Sequence, residues 1–202
     1  MDREDDPVLV GVDYGSKLAG TTVAAVLRGG EVTLHGAGRK EDADRFLRHL
    51  TSELPIGTVG LDAPLSLPGV YRELPGYRDY HFRQADRLLR GMSPMFLGGL
   101  TARATELSHH LQAAGWQVLE VYPGAVARQL PLRAYAKTDR AVLSAALAEV
   151  RERCLVGRLL PEGLACESYH ALDAVLALET LLRKRAGTAE SHGTPEEGLV
   201  WV

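Results

Sequence analysis

Three short apolar runs in this chain stop on an acid. Val8, Leu9, Val10 and Val12 read as a buried strand that ends at Asp13, "TVGLD" ends in the same way at Asp62, and "WQVLE" ends at Glu120. A carboxylate at the end of a buried strand costs free energy unless a charge or a hydrogen-bond donor meets it. The ends of strands in sheets with parallel pairs are also where ligands collect. A fold that gathers these three ends is therefore the tightest constraint the sequence imposes. A fourth acid, Asp173, lies in a helical run that is nearly all apolar apart from His170, Asp173, Glu179 and Thr180.

The elements around these acids predict an α/β fold. Runs at 8–13, 21–27 and 31–36 are joined by short glycine-containing turns and form an antiparallel meander. A helix follows over 40–54, with early acids and apolar Phe46, Leu47 and Leu50 at helical spacing. A helix between two strands gives a right-handed crossover, which sets the Asp62 strand parallel to an earlier one. Further helices are expected at 140–154, capped by Thr138 or Asp139, and at 168–184. A polar tail at 186–198 then leads to an edge strand at 199–202. With 202 residues, 46% of them hydrophobic, the chain can bury a substantial core as a single domain over 1–202, with a frayed start at 1–6.

The net charge of -3 gives no global basic field, so a polyanion would be held by a local patch or through metal ions. Cys154 and Cys166 are too few for a disulfide framework and form no CxxC pair, which points to a reducing, cytoplasmic setting. "MDREDDP" is acidic where a signal peptide would be basic, and no apolar run is long enough to cross a bilayer, so no membrane partner is expected.

Four isolated buried carboxylates are costly, whereas four that converge on a divalent cation compensate one another through its charge. Asp13, Asp62, Glu120 and Asp173 are hard oxygen donors suited to Mg²⁺ or Mn²⁺, and ion pairs about 3.5–4 Å apart recur in phosphodiester hydrolysis. His170 precedes Asp173 by one helical turn and could transfer protons or orient a ligand. Each acid has a structural reading beside the catalytic one. Asp13 could cap the turn after it, Asp62 could accept from backbone amides, and Glu120 could pair with an arginine.

"YRELPGYRDYHFRQADRLLR" carries five arginines against three acids, a net +2, with Tyr71, Tyr77, Tyr80 and Phe82 among them. Interleaved arginines and aromatics suit single-stranded or distorted nucleic acid. Arg83, Arg87 and Tyr80 are the candidates here, and Lys137 and Arg140, with Arg133, form a second basic cluster. An amphipathic helix with surface salt bridges, or one buried Arg83–Asp86 pair that shapes the site, explains the same residues.

The motifs "GVDYGSKLAGT", "VGLDAPLSLP", "RQAD", "EVYP", "AKTDR" and "HALDAVLALETLL" occur in an order that resembles the predicted-nuclease family of ribonuclease H-like fold, the domain of unknown function 429 group. The resemblance covers nearly the whole chain, including the terminal "GLVWV". It implies a mixed five-stranded sheet, three antiparallel strands followed by parallel ones, flanked by helices. It also implies a Mg²⁺- or Mn²⁺-dependent nuclease in which Asp13, Asp62 and Asp173 hold the metal, and Glu120 matches the family's acid before its Tyr-Pro turn. The ribonuclease H catalytic glutamate has no clear counterpart among Glu41, Asp42, Asp44 and Glu53. The arrangement is also similar to RuvC-type resolvases, which implies a homodimer by analogy. Two other classes remain open: a non-catalytic nucleic-acid or protein binding module, and an actin- or sugar-kinase-like nucleotide-binding protein.

Overall fold

The computed structural model describes residues 7–132, 135 and 140–202, with the side chains of Arg140 and Ala141 left aside. The expected frayed start, the Thr138 or Asp139 cap, Arg133 and Lys137 lie outside these residues. The chain opens with β1 (Leu9–Asp13), β2 (Val23–Arg28), β3 (Glu31–Gly36), α1 (Ala43–Ser52) and β4 (Thr58–Asp62). It continues with α2 (Gln84–Leu89), α3 (Pro94–Leu97), α4 (Gly99–Ala113), β5 (Gln117–Val121) and α5 (Pro123–Gln129), then α6 (Arg140–Arg153) and α7 (Tyr169–Arg185). β6 (Ser191–Thr194) and β7 (Gly198–Trp201) close it.

These strands form one mixed sheet in the order β3-β2-β1-β4-β5-β7-β6. β1, β2 and β3 are the expected antiparallel meander, and β1, β4, β5 and β7 are successive parallel neighbours. The sheet has seven strands and not five. Beyond the five, β7 matches the strand expected at 199–202 but sits between β5 and β6 and not at the edge, and the edge is taken by β6, which lies inside the segment read as a polar tail. Both are four residues long, and "SHGT" has no alternating apolar pattern by which a strand is recognised. Gly193 and Gly198 take positive φ, +104° and +101°, which lets the chain reverse between the two strands.

Alternation of side chains gives the sheet two apolar faces. Val10, Val12, Val59 and Leu61 pack with Leu47 of α1 and Leu107 and Leu111 of α4. Leu9, Ala25, Leu27 and Val121 pack with α7 and with residues of α5 and α6. α7 is the central helix of that second face, buried continuously from Ala171 to Leu182. It lies so close to β1 that a Cβ on Gly11 would stand 2.2 Å from the Leu178 nitrogen and 2.5 Å from the Ala174 oxygen. Among the described residues no helix is long and apolar enough to cross a membrane.

Candidate active site at the strand ends

Parallel pairing sets Gly11 opposite Gly60 and Asp13 opposite Asp62. Each strand thus carries a G-x-D triplet. The two glycines and the two aspartates share the α7 face because side chains two apart point the same way. Gly11 admits the α7 backbone and Gly60 the Leu181 side chain of the same helix, and two residues beyond Gly11 the carboxylate of Asp13 meets His170 in the first turn. Ser168 caps α7 by accepting a hydrogen bond from the Ala171 amide, which fixes where the helix begins. His170 and Asp173, one turn apart, are then directed at the strand ends.

His170 Nδ1 lies 2.7 Å from Asp13 Oδ2, with its ring half exposed and the Asp13 side chain 14% exposed. Asp173 is buried and accepts a hydrogen bond from the Tyr135 hydroxyl. Burial pushes the Tyr135 phenol well above its ordinary range, and the charges of Asp173, Asp62 and Asp13 push it further in the same direction. One phenol therefore sits in the field of all three aspartates. Among the described residues, no group of three or more His, Cys, Asp or Glu side chains is drawn closely enough to hold a metal ion. Asp13 and Asp173 are instead engaged by rings.

Glu120 is placed differently from the three aspartates. Its register partner on β4 is Leu61, not Asp62, so its side chain leaves the sheet on the opposite face. There it takes two bonds from Arg83, 2.7 Å from Nη1 to Oε2 and 2.6 Å from Nη2 to Oε1. Arg83 is 1% exposed and also holds Asp86 through Nε and Nη2, while Nη1 donates to Ser66. Asp86 accepts the Arg83 backbone amide and so caps α2. Burial pushes the Glu120 carboxyl up while Arg83 draws it down. Burial opposes charge on the guanidinium too, but Glu120 and Asp86 outweigh it and raise Arg83 above its ordinary value. Glu120 also accepts the Leu65 amide at 2.9 Å, tying the loop after Asp62 to this ion cluster. Glu197, from the turn between β6 and β7, accepts from the amides of Gly69 and Gln84 and pins the two ends of the same region.

On the other side of Asp13, Tyr14 donates to Asp44 of α1, and Arg103 of α4 bonds both Asp44 and the Gly15 carbonyl. Burial works to raise the Asp44 carboxyl, but the hydrogen bonds from Arg103 and Tyr14 leave it below its ordinary range. Asp42 caps α1, and Glu41 accepts the Gly38 amide at 2.6 Å. Asp44, through Tyr14 and Arg103, and Asp42, through Lys17, thus hold the loop that follows Asp13.

Of the residues expected to meet substrate, Arg83 is committed to the buried cluster. Arg87 pairs with Asp79 at the surface and stacks over Phe82, 4.8 Å from its ring centre. Tyr80 is 59% exposed. Arg140 begins α6, but its side chain lies outside the description, as does Lys137. Asp13, Asp62, Arg83 and Glu120 all border one cavity of about 190 Å³, walled by Leu89, Met92, Leu97 and Leu100.

Two features of the site are absent from the sequence reading. The paired G-x-D triplets carry a usable signal, because a glycine two positions before each strand-end acid marks where a helix can press on the sheet. Tyr135 carries none, as a lone tyrosine in "LRAYAK" has no spacing that ties it to Asp173. No protein-family model matches this chain, and a search of curated proteins finds no match.

Proposed function

We propose that the protein is a metal-dependent nuclease of ribonuclease H-like fold, with its site at Asp13, Asp62 and Asp173. The observation that carries this reading is the in-register pairing of Asp13 with Asp62 beside a helix that brings Asp173 and His170 to the same strand ends. The order of the first strands, an antiparallel meander followed by parallel neighbours, supports the fold assignment. The donor set fits Mg²⁺ or Mn²⁺ in chemistry, being three carboxylates without a thiolate. Asp13, Asp62 and Asp173 would hold the ion, which would supply the Lewis acid that offsets charge on a phosphodiester.

The remaining work falls to the chain's own side chains. His170 orients Asp13 through its Nδ1 contact with Oδ2. Tyr135 keeps Asp173 hydrogen-bonded in a site where an unpaired carboxylate would be costly. Glu120 serves as a positioning residue, because with Arg83 it anchors the Leu65 amide and so the loop that carries Asp62.

Titration with Mn²⁺ tests this directly. The wild type should gain thermal stability with rising Mn²⁺ and cleave labelled nucleic acid only when Mg²⁺ or Mn²⁺ is present. Asp13→Asn should remain folded, lose the Mn²⁺ response, and fall at least a hundredfold in cleavage. Full activity in Asp13→Asn, or a wild-type melting temperature indifferent to Mn²⁺, would overturn the proposal.

A further inference from the structure

Nine large apolar side chains are prominently exposed among the described residues, and six of them fall between Leu67 and Phe96. Scattered single residues would need no explanation; a concentration within thirty positions of one segment does. Tyr80 and Phe96 are 59% and 69% exposed, and Met92 is 62% exposed. Tyr71 meets Tyr80 edge to face at 5.9 Å, and Phe96 meets Phe82 edge to face at the same distance. The rings are therefore held by one another and still present faces to solvent.

The same segment carries cations. Arg87 is paired with Asp79, and Arg83 is buried with Asp86 and Glu120. Arg72, Arg78 and Arg90 are exposed alongside a single exposed acid, Glu73. The segment also borders the candidate active site. Met92 and Leu97 wall the cavity that Asp13 and Asp62 border, while Pro94 and Met95 line an apolar groove with Leu67 and Tyr71. α3 thus has the acids on one side and the groove on the other. The cavity, at about 190 Å³, is below the roughly 300–1,000 Å³ usual for small-molecule pockets and has room for one planar base.

We infer that the segment from Leu67 to Phe96 is a single-strand platform, on which unpaired bases of DNA or RNA stack and whose arginines take the phosphates. The inference rests on the nuclease reading for the identity of the polyanion and deepens it by naming the strand form. Stacking rings reach base faces only when the bases are unpaired, so the aromatic surface has no use on an intact duplex. Rings, methionine and arginine also suit a protein interface; what favours a strand is that this surface adjoins the cavity bordered by Asp13 and Asp62. A base seated in the cavity past Met92 brings its flanking phosphate to the edge where Asp13 and Asp62 lie.

The test is fluorescence anisotropy in EDTA, with labelled oligonucleotides of about 20 nucleotides, long enough for a single-strand site. Single-stranded DNA, single-stranded RNA and a blunt duplex of the same sequence are compared. At least one single strand should bind tenfold or more tightly than the duplex, and the DNA and RNA arms identify which. The double variant Tyr80→Ala with Phe96→Ala should lose at least tenfold of that affinity with an unchanged melting temperature. Tyr80→Trp, which keeps a stacking face, should retain it. Equal affinity for duplex and single strand, or a double variant that binds like the wild type, would overturn the inference. So would a wild type that binds neither strand form, the result expected of a protein-docking patch. Because the assay contains no metal, it separates the two proposals: single-strand binding without Mn²⁺-dependent cleavage refutes the nuclease, and cleavage without strand preference refutes the platform.

Discussion

Glu120 and Asp173 are both buried carboxylates near the ends of the central strands, 7% and 2% exposed, yet they are met by different chemistry. Glu120 faces a guanidinium that donates two parallel bonds, the strongest neutralising arrangement a side chain can supply. Among the described residues, Asp173 receives a phenol and Asp13 an imidazole, ring donors in place of a bidentate guanidinium. The first arrangement is a clamp, since Arg83, Asp86, Glu120 and Ser66 hold α2 and the loop after β4 in one network. The second joins α7 to the ends of β1 and β4, where the proposed metal site lies. One sheet end therefore holds both an acid cluster that stabilises the fold and one that the proposed chemistry can use.

The sharpest way to break the aspartate cluster is to unseat the helix that supplies half of it. Gly11→Ala would place a methyl carbon 2.2 Å from the Leu178 backbone nitrogen, and a backbone atom cannot rotate away. The expected cost is at or above the roughly 1–3 kcal/mol typical of overpacking. Denaturant unfolding measures it, and an unchanged midpoint would show that α7 does not bear on β1 as described.

The clamp is broken from its centre. Arg83→Met keeps much of the volume but leaves Glu120 and Asp86 buried without their cation, a change that costs about 3–5 kcal/mol in comparable buried pairs. The restoring test is Arg83→Met combined with Glu120→Gln, which should recover part of that loss because one uncompensated charge is gone. If Arg83→Met alone is neutral, the network is not the clamp described.

What the sequence disclosed and what it hid follow from the range of the interactions. The meander, the α1 crossover and the parallel pairing of the Asp62 strand were legible because each rests on local periodicity and short turns. Asp13, Asp62 and Asp173 stood out because a charge interrupting an apolar run is anomalous within a few residues of itself. Glu120 gave the same local signal and yet leaves the other face, since its position is set by a register of one residue on a neighbouring strand. The partnership of Arg83 with Glu120 spans 37 positions, and that of Tyr135 with Asp173 spans 38. Neither leaves a mark in spacing. β7 was legible as the apolar run at 199–202, but its place between β5 and β6 was not, because β6 is a four-residue polar strand held by backbone pairing with no apolar pattern to announce it.

The smallest expected effect comes from a third carboxylate, Asp79, which tests whether geometry or burial decides an ion pair's worth. Asp79 accepts the amides of His81 and Phe82 and pairs with Arg87, and these hold its carboxyl down at about 2. A carboxyl with a depressed folded-state pKa stabilises the protein fully above its unfolded value near 4, and that contribution is lost as pH falls from about 4 toward 2. Arg87 is largely solvent-exposed, so the ion pair itself should be worth no more than about 1 kcal/mol, well below the Arg83 cluster. Asp79→Asn should therefore lower the melting temperature slightly at pH 7 and by less near pH 2, where the wild-type carboxyl is itself half protonated. A deficit of equal size at both pH values would assign the effect to the shape of the turn and not to the charge. A deficit at pH 7 as large as that of Arg83→Met would mean that two backbone amides and a surface arginine hold this segment as firmly as the buried network does.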